Sequence, residues 1–273
     1  STGTPTVTAH VDLLDAILQE LDQRALPYEL VATQANTTTG QASGLPLTGD
    51  PSVGLVTSIL QFTDRIAVLR RTDVHVVADR GRYAADFEVG PLTITRGWIR
   101  ATTDHASAPH HLINTHLESQ ALAPVQAAQA AELLGSVAAG LDGVTILAGD
   151  LNSDAEAGPG APSWTPTYDA VIEAGFTDAW LQSGQPAWDQ GLTCCQDPSL
   201  RNGTSTLDER IDFVLVRRAG LDPGSGFVPG SISLEVVGDE PGDRTLIEGL
   251  WPSDHAGLIA GILTPPGLGV AGR

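Results

Sequence analysis

The sequence predicts one α/β domain, in which two β-sheets pack together and helices lie outside them. Short runs of apolar and β-branched residues recur with turn residues between them, which predicts many short strands. Two longer stretches place apolar residues at helical spacing. No internal repeat or low-complexity linker divides the chain, and its 273 residues, 41% of them hydrophobic, are enough for one substantial core.

In the first half of the chain, apolar residues at helical spacing predict a surface helix over residues 10–24. A strand is predicted over residues 28–33, followed by a long exposed loop over residues 37–50 that is rich in Thr, Gly and Pro. Further strands are predicted over residues 66–69, 74–77, 92–99 and 111–116. Their regular spacing favours an antiparallel sheet.

In the second half, an Ala-rich helix is predicted over residues 124–139, ending at Gly140 because Gly is common directly after a helix. It leads into a buried strand over residues 144–147. Two short helices over residues 168–174 and 177–182 precede an irregular stretch over residues 186–202. The last predicted strands span residues 211–216, 232–237 and 258–263.

The net charge of the chain makes some classes of function less favourable than others. The formal net charge is -19, from 33 acidic residues against 14 basic ones, all of them Arg. So acidic a surface repels polyanions and disfavours non-specific binding of duplex DNA, although a local Arg cluster can still hold a phosphate. No apolar run reaches the roughly 18 residues that a transmembrane helix needs, so no transmembrane segment is expected.

The N-terminus and the cysteines add two expectations. The chain contains no Met, so Ser1 is not an initiator residue, and we expect a chain trimmed or incomplete at its N-terminus. This and the acidic surface favour an extracellular, secreted protein. The two cysteines, Cys194 and Cys195, are adjacent, which excludes a disulfide framework and a cysteine zinc cluster. A vicinal disulfide and a pair of small buried thiols are the alternatives, and the usual burial of free Cys favours the thiols.

The stretch Gly149-Asp150-Leu151-Asn152 directly follows the predicted buried strand. Asp150 and Asn152 point the same way if strand geometry continues, because side chains two positions apart share a face. A carboxylate beside a carboxamide suits a hard cation, or a water that must lose a proton. Such residues are also common in turns, so this stretch alone leaves a turn and a functional site as alternatives.

Three further polar clusters lie where predicted strands begin or end, at residues 114–118, 210–212 and 253–255. Each has an ordinary explanation on its own, as a surface His, an ion pair or a turn. Together they place Asp with His, Asn or Arg at successive strand boundaries. That placement is typical of a site at one edge of a sheet.

These residues, in this order, resemble the endonuclease/exonuclease/phosphatase superfamily, the deoxyribonuclease I-like metal-dependent phosphoesterases. The matching motifs are Asn114-Thr115-His116-Leu117, Gly149-Asp150-Leu151-Asn152, Arg210-Ile211-Asp212-Phe213 and Ser253-Asp254-His255, with weaker support from Asp64-Arg65-Ile66-Ala67-Val68 and Arg96-Gly97-Trp98. The resemblance covers roughly residues 10 to 264. It implies a four-layered α/β sandwich, with two mostly antiparallel sheets packed face to face, helices outside and the active site at one edge.

The resemblance also implies catalytic roles for residues at the matching positions. His116 matches the family His that polarises the scissile phosphate, and Asp150 matches the carboxylate that activates the attacking water. Asn152 matches the amide that positions the phosphate or the nucleophile. His255 matches the general acid/base or phosphate-binding His, and Asp212 matches the Asp that hydrogen-bonds to it.

Metal and substrate ligands follow in the same way. The resemblance implies Asp254, Asp150 and Asn152 as metal ligands, and Asn114, Arg96 and Arg210 as substrate-binding residues. Oxygen ligands with few imidazoles favour Mg²⁺ or Mn²⁺ over zinc. The implied function is a divalent-metal-dependent hydrolase of phosphoester bonds, as a phosphodiesterase, phosphatase or nuclease acting on a small-molecule, lipid or nucleic-acid substrate. The net charge favours small or lipid phosphoesters over duplex DNA.

The sequence departs from the family pattern at its start. Family members begin with a strand that carries an Asn and a strand that ends in Gln-Glu, whose Glu is the principal metal ligand. Gln19-Glu20 lies inside the predicted first helix instead, so we expect a single domain over residues 1–273 that lacks these two strands. The alternative function is a non-catalytic or fragmentary domain of this fold that acts as a binding or partner module. A zinc or serine hydrolase is disfavoured, because neither a His-x-x-x-His nor a Gly-x-Ser-x-Gly motif is present.

Overall fold

The computed structural model describes residues 11–38, 45–50, 55–60, 62–90, 92–105, 108–186, 189–219, 231–245 and 248–263. The helices within them are α1 (Leu13–Gln23), α2 (Ala123–Glu132), α3 (Thr167–Glu173) and α4 (Ala179–Gln182). The strands are β1 (Tyr28–Thr38), β2 (Leu45–Asp50), β3 (Leu55–Leu60), β4 (Thr63–Arg71), β5 (Val77–Arg82), β6 (Phe87–Val89), β7 (Leu92–Ile94), β8 (Gly97–His105), β9 (Ala108–His116), β10 (Val144–Asp150), β11 (Thr177–Asp178), β12 (Asp212–Arg218), β13 (Ile232–Val237) and β14 (Gly257–Ile262). Among these residues, no helix has the length and apolarity needed to cross a membrane.

A six-stranded mixed sheet forms the centre of the fold, with the strand order β11-β12-β10-β9-β8-β5. Strand β10 runs parallel to β9 and antiparallel to β12. The register places Asp150, the last residue of β10, opposite His116 on one side and opposite Asp212 on the other. Three of the polar strand ends identified in the sequence therefore meet at one edge of the sheet.

Helices α2 and α3 cover one face of this sheet. Ile113, Leu147 and Leu215, on three neighbouring strands, are fully buried in one cluster with Ala130 of α2 and Val171 of α3. Full burial of one aliphatic side chain of this size stabilises the fold by about 1.5–3 kcal/mol. Because the strands of this cluster supply only alternate residues to it, their intervening residues face the other side of the sheet.

The other face is covered by two separate pairs of strands. The β1–β4 pair shares an apolar cluster with Leu112 of the central sheet, and the β13–β14 pair shares one with Val214. The mixed α/β architecture predicted from the sequence is confirmed. In the described part of the chain, however, the second layer consists of strand pairs and not of one continuous sheet.

Several predicted elements differ in the structure, because strand pairing over long distances overrides the local pattern. The stretch predicted as a loop over residues 37–50 contains β2, which pairs with β3, while residues 39–44 lie outside the described part. The strand predicted over residues 74–77 begins only at Val77. The strand predicted over residues 92–99 is divided into β7 and β8.

The predicted helices are confirmed with shorter bounds. The first begins at Leu13, and its N-cap, Asp12, accepts a hydrogen bond from the backbone N–H of Leu14 at 3.0 Å. The Ala-rich helix ends at Glu132 and continues as a π-helical turn over Leu133–Val137. The helix predicted over residues 177–182 starts as β11, because Thr177 and Asp178 pair with β12.

Candidate active site

Asp150 and Asn152 form the centre of the candidate site. The backbone N–H of Asn152 donates to Oδ1 of Asp150 at 2.7 Å, and its side-chain Nδ2 lies 3.3 Å from Oδ2 of the same carboxylate. The predicted contact between the two side chains is present, but continued strand geometry, which was the predicted reason for it, is not what brings them together. Strand geometry ends at Asp150, and Asn152 adopts a left-handed conformation with φ of 49°, which Asn tolerates better than most residues. The turn itself therefore aims the amide at the carboxylate.

Gly149 allows the two parallel strands to approach closely next to Asp150. Its φ is 141°, and a Cβ at this position would lie 1.9 Å from the backbone oxygen of Thr115. A residue with a side chain would push β10 away from β9. The glycine therefore keeps Asp150 in register with His116, so Nε2 of His116 lies 3.5 Å from Oδ2 of Asp150.

Burial and a neighbouring carboxylate perturb Asp150. Desolvation and the negative charge of Asp212 raise the pKa of Asp150 from 3.8 to about 7. The side chain is 14% exposed, so water screens it only in part. Two carboxylates that face each other across one edge leave an excess of negative charge, which a proton or a cation can compensate.

Asp212 and His255 form an ion pair beside Asp150. Nδ1 of His255 lies 2.8 Å from Oδ2 of Asp212. This hydrogen bond outweighs desolvation and raises the pKa of His255 from 6.5 to about 9. The imidazole is therefore protonated at neutral pH.

Thr193 fixes the start of β12, from which Asp212 projects. Its Oγ1 accepts hydrogen bonds from the backbone N–H groups of Ile211 and Asp212, at 3.2 and 3.1 Å. Cys194 and Cys195 follow directly. The expected pair of buried thiols is wrong, because the two sulfurs are joined as a vicinal disulfide and Cys195 is exposed. With no other cysteine in the chain, each is the only partner available to the other.

The pKa of His116 is shifted in the opposite direction to that of His255. Nη1 of Arg96 lies 3.0 Å from its Nδ1 and 3.2 Å from its Nε2. Desolvation, followed by the positive charge of Arg96, lowers the pKa of His116 from 6.5 to about 4. His116 is therefore neutral at pH 7. Nη1 of Arg96 is nearly equidistant from the two ring nitrogens, and Nε2 is the one that faces Asp150.

Two carboxylates that the sequence did not single out as site residues hold Arg96. Nη1 of Arg96 lies 3.0 Å from Oδ2 of Asp64, and Nη2 lies 3.3 Å from Oε1 of the buried Glu118. Glu118 ends the polar cluster at residues 114–118, but its position in the sequence alone assigns it no role in the site. Only the close approach of β4, β8 and β9 identifies it.

Three other predicted site residues make different contacts from those of the cluster around Asp150. Arg210, predicted to bind substrate, is 3% exposed and makes ion pairs with Asp178 at 2.5 Å and Glu156 at 2.9 Å, so its charge is already balanced. Asp254, predicted as a metal ligand, is exposed and accepts a hydrogen bond from Ser253 Oγ at 3.2 Å. Asn114 lies on β9 two residues before His116 and is half-buried.

Asp150, Asp212 and His255 can together hold a metal ion. One ligand atom of each lies within 4.8 Å of the others. The two carboxylates fit a hard divalent cation, because Mg²⁺ is commonly bound by one or two carboxylates, with waters and substrate phosphate completing the shell. The excess negative charge that raises the pKa of Asp150 supports the same fit.

Comparisons with known proteins identify a family and solved structures that share this fold. The family model described as "Endonuclease/Exonuclease/phosphatase family" matches residues 17–255. A comparison with curated protein sequences gave no match. Among solved structures, an endonuclease/exonuclease/phosphatase family protein from Leptotrichia buccalis C-1013-b is 15% identical with a TM-score of 0.58, over 96% of this chain and 83% of that chain.

Two further solved structures are similar. The endonuclease/exonuclease/phosphatase from Beutenbergia cavernae DSM 12333 is 19% identical with a TM-score of 0.56, over 96% of this chain and 60% of that chain. D. rerio TDP2, complexed with a single strand DNA product, is 18% identical with a TM-score of 0.51, over 89% of this chain and 80% of that chain. At such identities the likeness shows a shared fold.

An α/β sandwich with carboxylates and histidines gathered at one sheet edge has the arrangement of a hydrolase site. The family match identifies the chain more specifically. The chain belongs to the endonuclease/exonuclease/phosphatase family, whose members are in general phosphoester hydrolases.

Proposed function

We propose that this protein is a divalent-metal-dependent hydrolase of phosphoester bonds. The observation that carries the proposal is the register of the central sheet, which sets Asp150 directly between His116 and Asp212. His255 joins them through Asp212. The site thus combines a base, an acid and a neutral hydrogen-bond donor, whose pKa values are moved apart by their surroundings.

Asp150 acts as the general base in this proposal. In the metal-free site, burial makes this carboxylate a stronger base than an exposed Asp, and a large share of it is ionised at neutral pH. A bound cation would increase that share. The two N–H groups of Asn152 hold it in one orientation. It accepts the proton of the water that attacks phosphorus.

His255 acts as the general acid. Its Nδ1–H is held by Asp212, so Nε2 carries the proton that can pass to the leaving oxygen. Its pKa of about 9 keeps the ring protonated before the reaction.

His116 and Arg96 bind the phosphoryl group. Neutral His116 donates a hydrogen bond from its one ring N–H to a phosphoryl oxygen, and Arg96 places a positive charge beside the ring. Asp64 and Glu118 keep the guanidinium in place. Fixed donors and charges of this kind stabilise the negative charge that spreads over the phosphoryl oxygens.

Asp150 and Asp212 would hold Mg²⁺ or Mn²⁺. When bound, the cation supplies positive charge to the phosphoryl oxygens and so stabilises the transition state. For substrate, the net charge of -19 favours a small-molecule or lipid phosphoester over duplex DNA.

A substrate screen tests the proposal. The protein is assayed on bis(p-nitrophenyl) phosphate, p-nitrophenyl phosphate, sphingomyelin, inositol phosphates and a single-stranded oligonucleotide, with Mg²⁺, with Mn²⁺ and with a chelator. We expect metal-dependent release of product from at least one of them. We expect His255→Ala to lower the rate by at least about 100-fold, because a general acid contributes about 10²–10⁴-fold.

The matched control is His75→Ala, since His75 is an exposed histidine outside the site. Equal rates for His255→Ala and wild type on an active substrate would refute the assignment. Folded protein without activity on any substrate in either metal would favour the alternative, a binding or partner module of the same fold.

A further inference from the structure

A second group of metal-ligating side chains lies next to the candidate active site. The sulfurs of Cys194 and Cys195 and a ring nitrogen of His255 all lie within 4.8 Å of one another. The mechanism proposed above uses neither cysteine. Cys194 is buried, Cys195 is exposed and His255 lies between these extremes, so the group is open to solvent on one side.

We propose that Cys194, Cys195 and His255, once the disulfide is reduced, form a binding site for a thiophilic divalent cation such as Zn²⁺. Two sulfurs and one imidazole nitrogen are a ligand set that Zn²⁺ prefers, whereas Mg²⁺ prefers the oxygens of Asp150 and Asp212. Ligand atoms in a tetrahedral zinc site lie roughly 3.5–4 Å apart, given bonds of about 2.0–2.3 Å. The ring nitrogen of His255 lies within 4.8 Å of both sulfurs, and the two sulfurs, which are bonded to each other in the structure, reach this spacing once reduction lets them move apart.

The change of state is a thiol–disulfide exchange. A dithiol reductant attacks the Cys194–Cys195 bond, gives up two electrons and two protons, and becomes a disulfide itself, while both cysteines become thiols. Binding of the cation then releases the two thiol protons, since the ligands are thiolates. The exposed Cys195 gives the reductant access.

The backbone keeps the three ligands together whether or not the sulfurs are bonded. Before the cysteines, the carbonyl of Thr193 accepts from the N–H of Ala256 at 2.8 Å. After them, the N–H of Gln196 donates to the carbonyl of Asp254, also at 2.8 Å. The residues that flank the cysteines are thus bonded to the residues that flank His255. Reduction therefore leaves the three side chains next to one another.

His255 belongs to both groups, which gives the site a regulatory consequence. A cation bound to either ring nitrogen of His255 takes the place of a proton there, so the ring can no longer be the doubly protonated imidazolium that pairs with Asp212 at 2.8 Å. Occupation of the site would then remove the general acid. This inhibition rests on the proposed hydrolase function, but binding of the cation does not.

Cobalt titration tests the binding. The chain is reduced with a dithiol, freed of it under argon and titrated with Co²⁺, whose thiolate charge-transfer absorption reports sulfur ligands. We expect one equivalent to bind, Zn²⁺ to displace it and the oxidised protein to show no such band. Cys195→Ser should lower the affinity at least tenfold, and Cys194→Ser/Cys195→Ser should abolish the band. A band that is absent in reduced wild type, or unchanged in the double variant, would overturn the proposal.

Two further measurements separate this proposal from the hydrolase function. His255→Ala should weaken Co²⁺ binding while some charge-transfer absorption remains, because both sulfurs are still present; equal affinity would exclude His255 as a ligand. If the protein is a hydrolase, Zn²⁺ should inhibit the reduced form more strongly than the oxidised form, and Cys195→Ser should lose that difference. Loss of activity under all conditions would count against the hydrolase and would leave the cobalt titration as a complete test.

Discussion

The ion pair of Asp212 and His255 gives the sharpest electrostatic prediction. The hydrogen bond between Asp212 and His255 and the negative charge of Asp212 both raise the pKa of His255, whereas burial lowers it. Asp212→Asn removes the charge and leaves the burial. We therefore expect the pKa of His255 to fall well below about 9 in the metal-free protein.

The same shift has a consequence for stability, and its sign follows from linkage. The folded pKa lies above the unfolded value of 6.5, so the stabilisation is complete below pH 6.5 and is lost as the pH rises through about 9. The shift corresponds to about 3 kcal/mol at 1.36 kcal/mol per pKa unit. Because the two side chains are 28% and 21% exposed, solvent screening reduces this to about 1–2 kcal/mol.

The assay is an NMR titration of the histidine ring protons of the chelated protein between pH 4 and 11, with His255→Ala to assign the resonance. Urea unfolding at pH 6 and pH 9.5 measures the stability. Asp254→Asn serves as the comparison, because the charge of Asp254 also raises the pKa of His255 but contributes less than Asp212 does. If Asp212→Asn left the pKa of His255 near 9, the ion pair would not be the cause of its protonation.

Two further predictions concern stability. Gly149→Ala should cost about 2–4 kcal/mol in unfolding free energy, because the new Cβ meets a backbone oxygen at 1.9 Å with φ at 141°, while Gly158→Ala, with nothing within 4 Å, should be nearly neutral. Similar unfolding midpoints for the two variants in urea would refute this. Arg210→Ala should cost about 3–5 kcal/mol by leaving the buried carboxylate of Asp178 without its cationic partner, whereas Arg71→Ala, whose ion pair is exposed, should cost at most about 1 kcal/mol. Equal costs in thermal unfolding would show that the buried pair is not a structural anchor.

The sequence was most informative where the local pattern and the tertiary pairing agree. The strand before Asp150 is a buried apolar run in sequence and a central strand in the structure, so its end was correctly identified as a strand boundary. The order of the four motifs was enough to predict the mixed α/β fold, which the structure and the family match confirm.

The remaining features depend on contacts that the local composition of the sequence does not specify. Glu118 and Arg210 are both charged and close to a motif, yet the structure buries both, and only the partners across strands decide which of them lies near His116. The strand β2 lies within a Thr-, Gly- and Pro-rich stretch, where the local composition favours a loop and pairing with β3 overrides it. The disulfide follows from proximity at one surface segment, which burial statistics for free cysteine do not capture.

The rate of metal-dependent phosphoester hydrolysis in a matched pair of variants tests the central claim most directly. Asp150→Ala removes the carboxylate that lies between His116 and Asp212, and Asp73→Ala removes an exposed carboxylate outside the cluster. On the substrate that wild type hydrolyses best with Mg²⁺, we predict that Asp150→Ala lowers kcat/KM by at least about 100-fold and that Asp73→Ala leaves it within about twofold. Equal activity of the two variants would contradict the assignment of Asp150 as the general base.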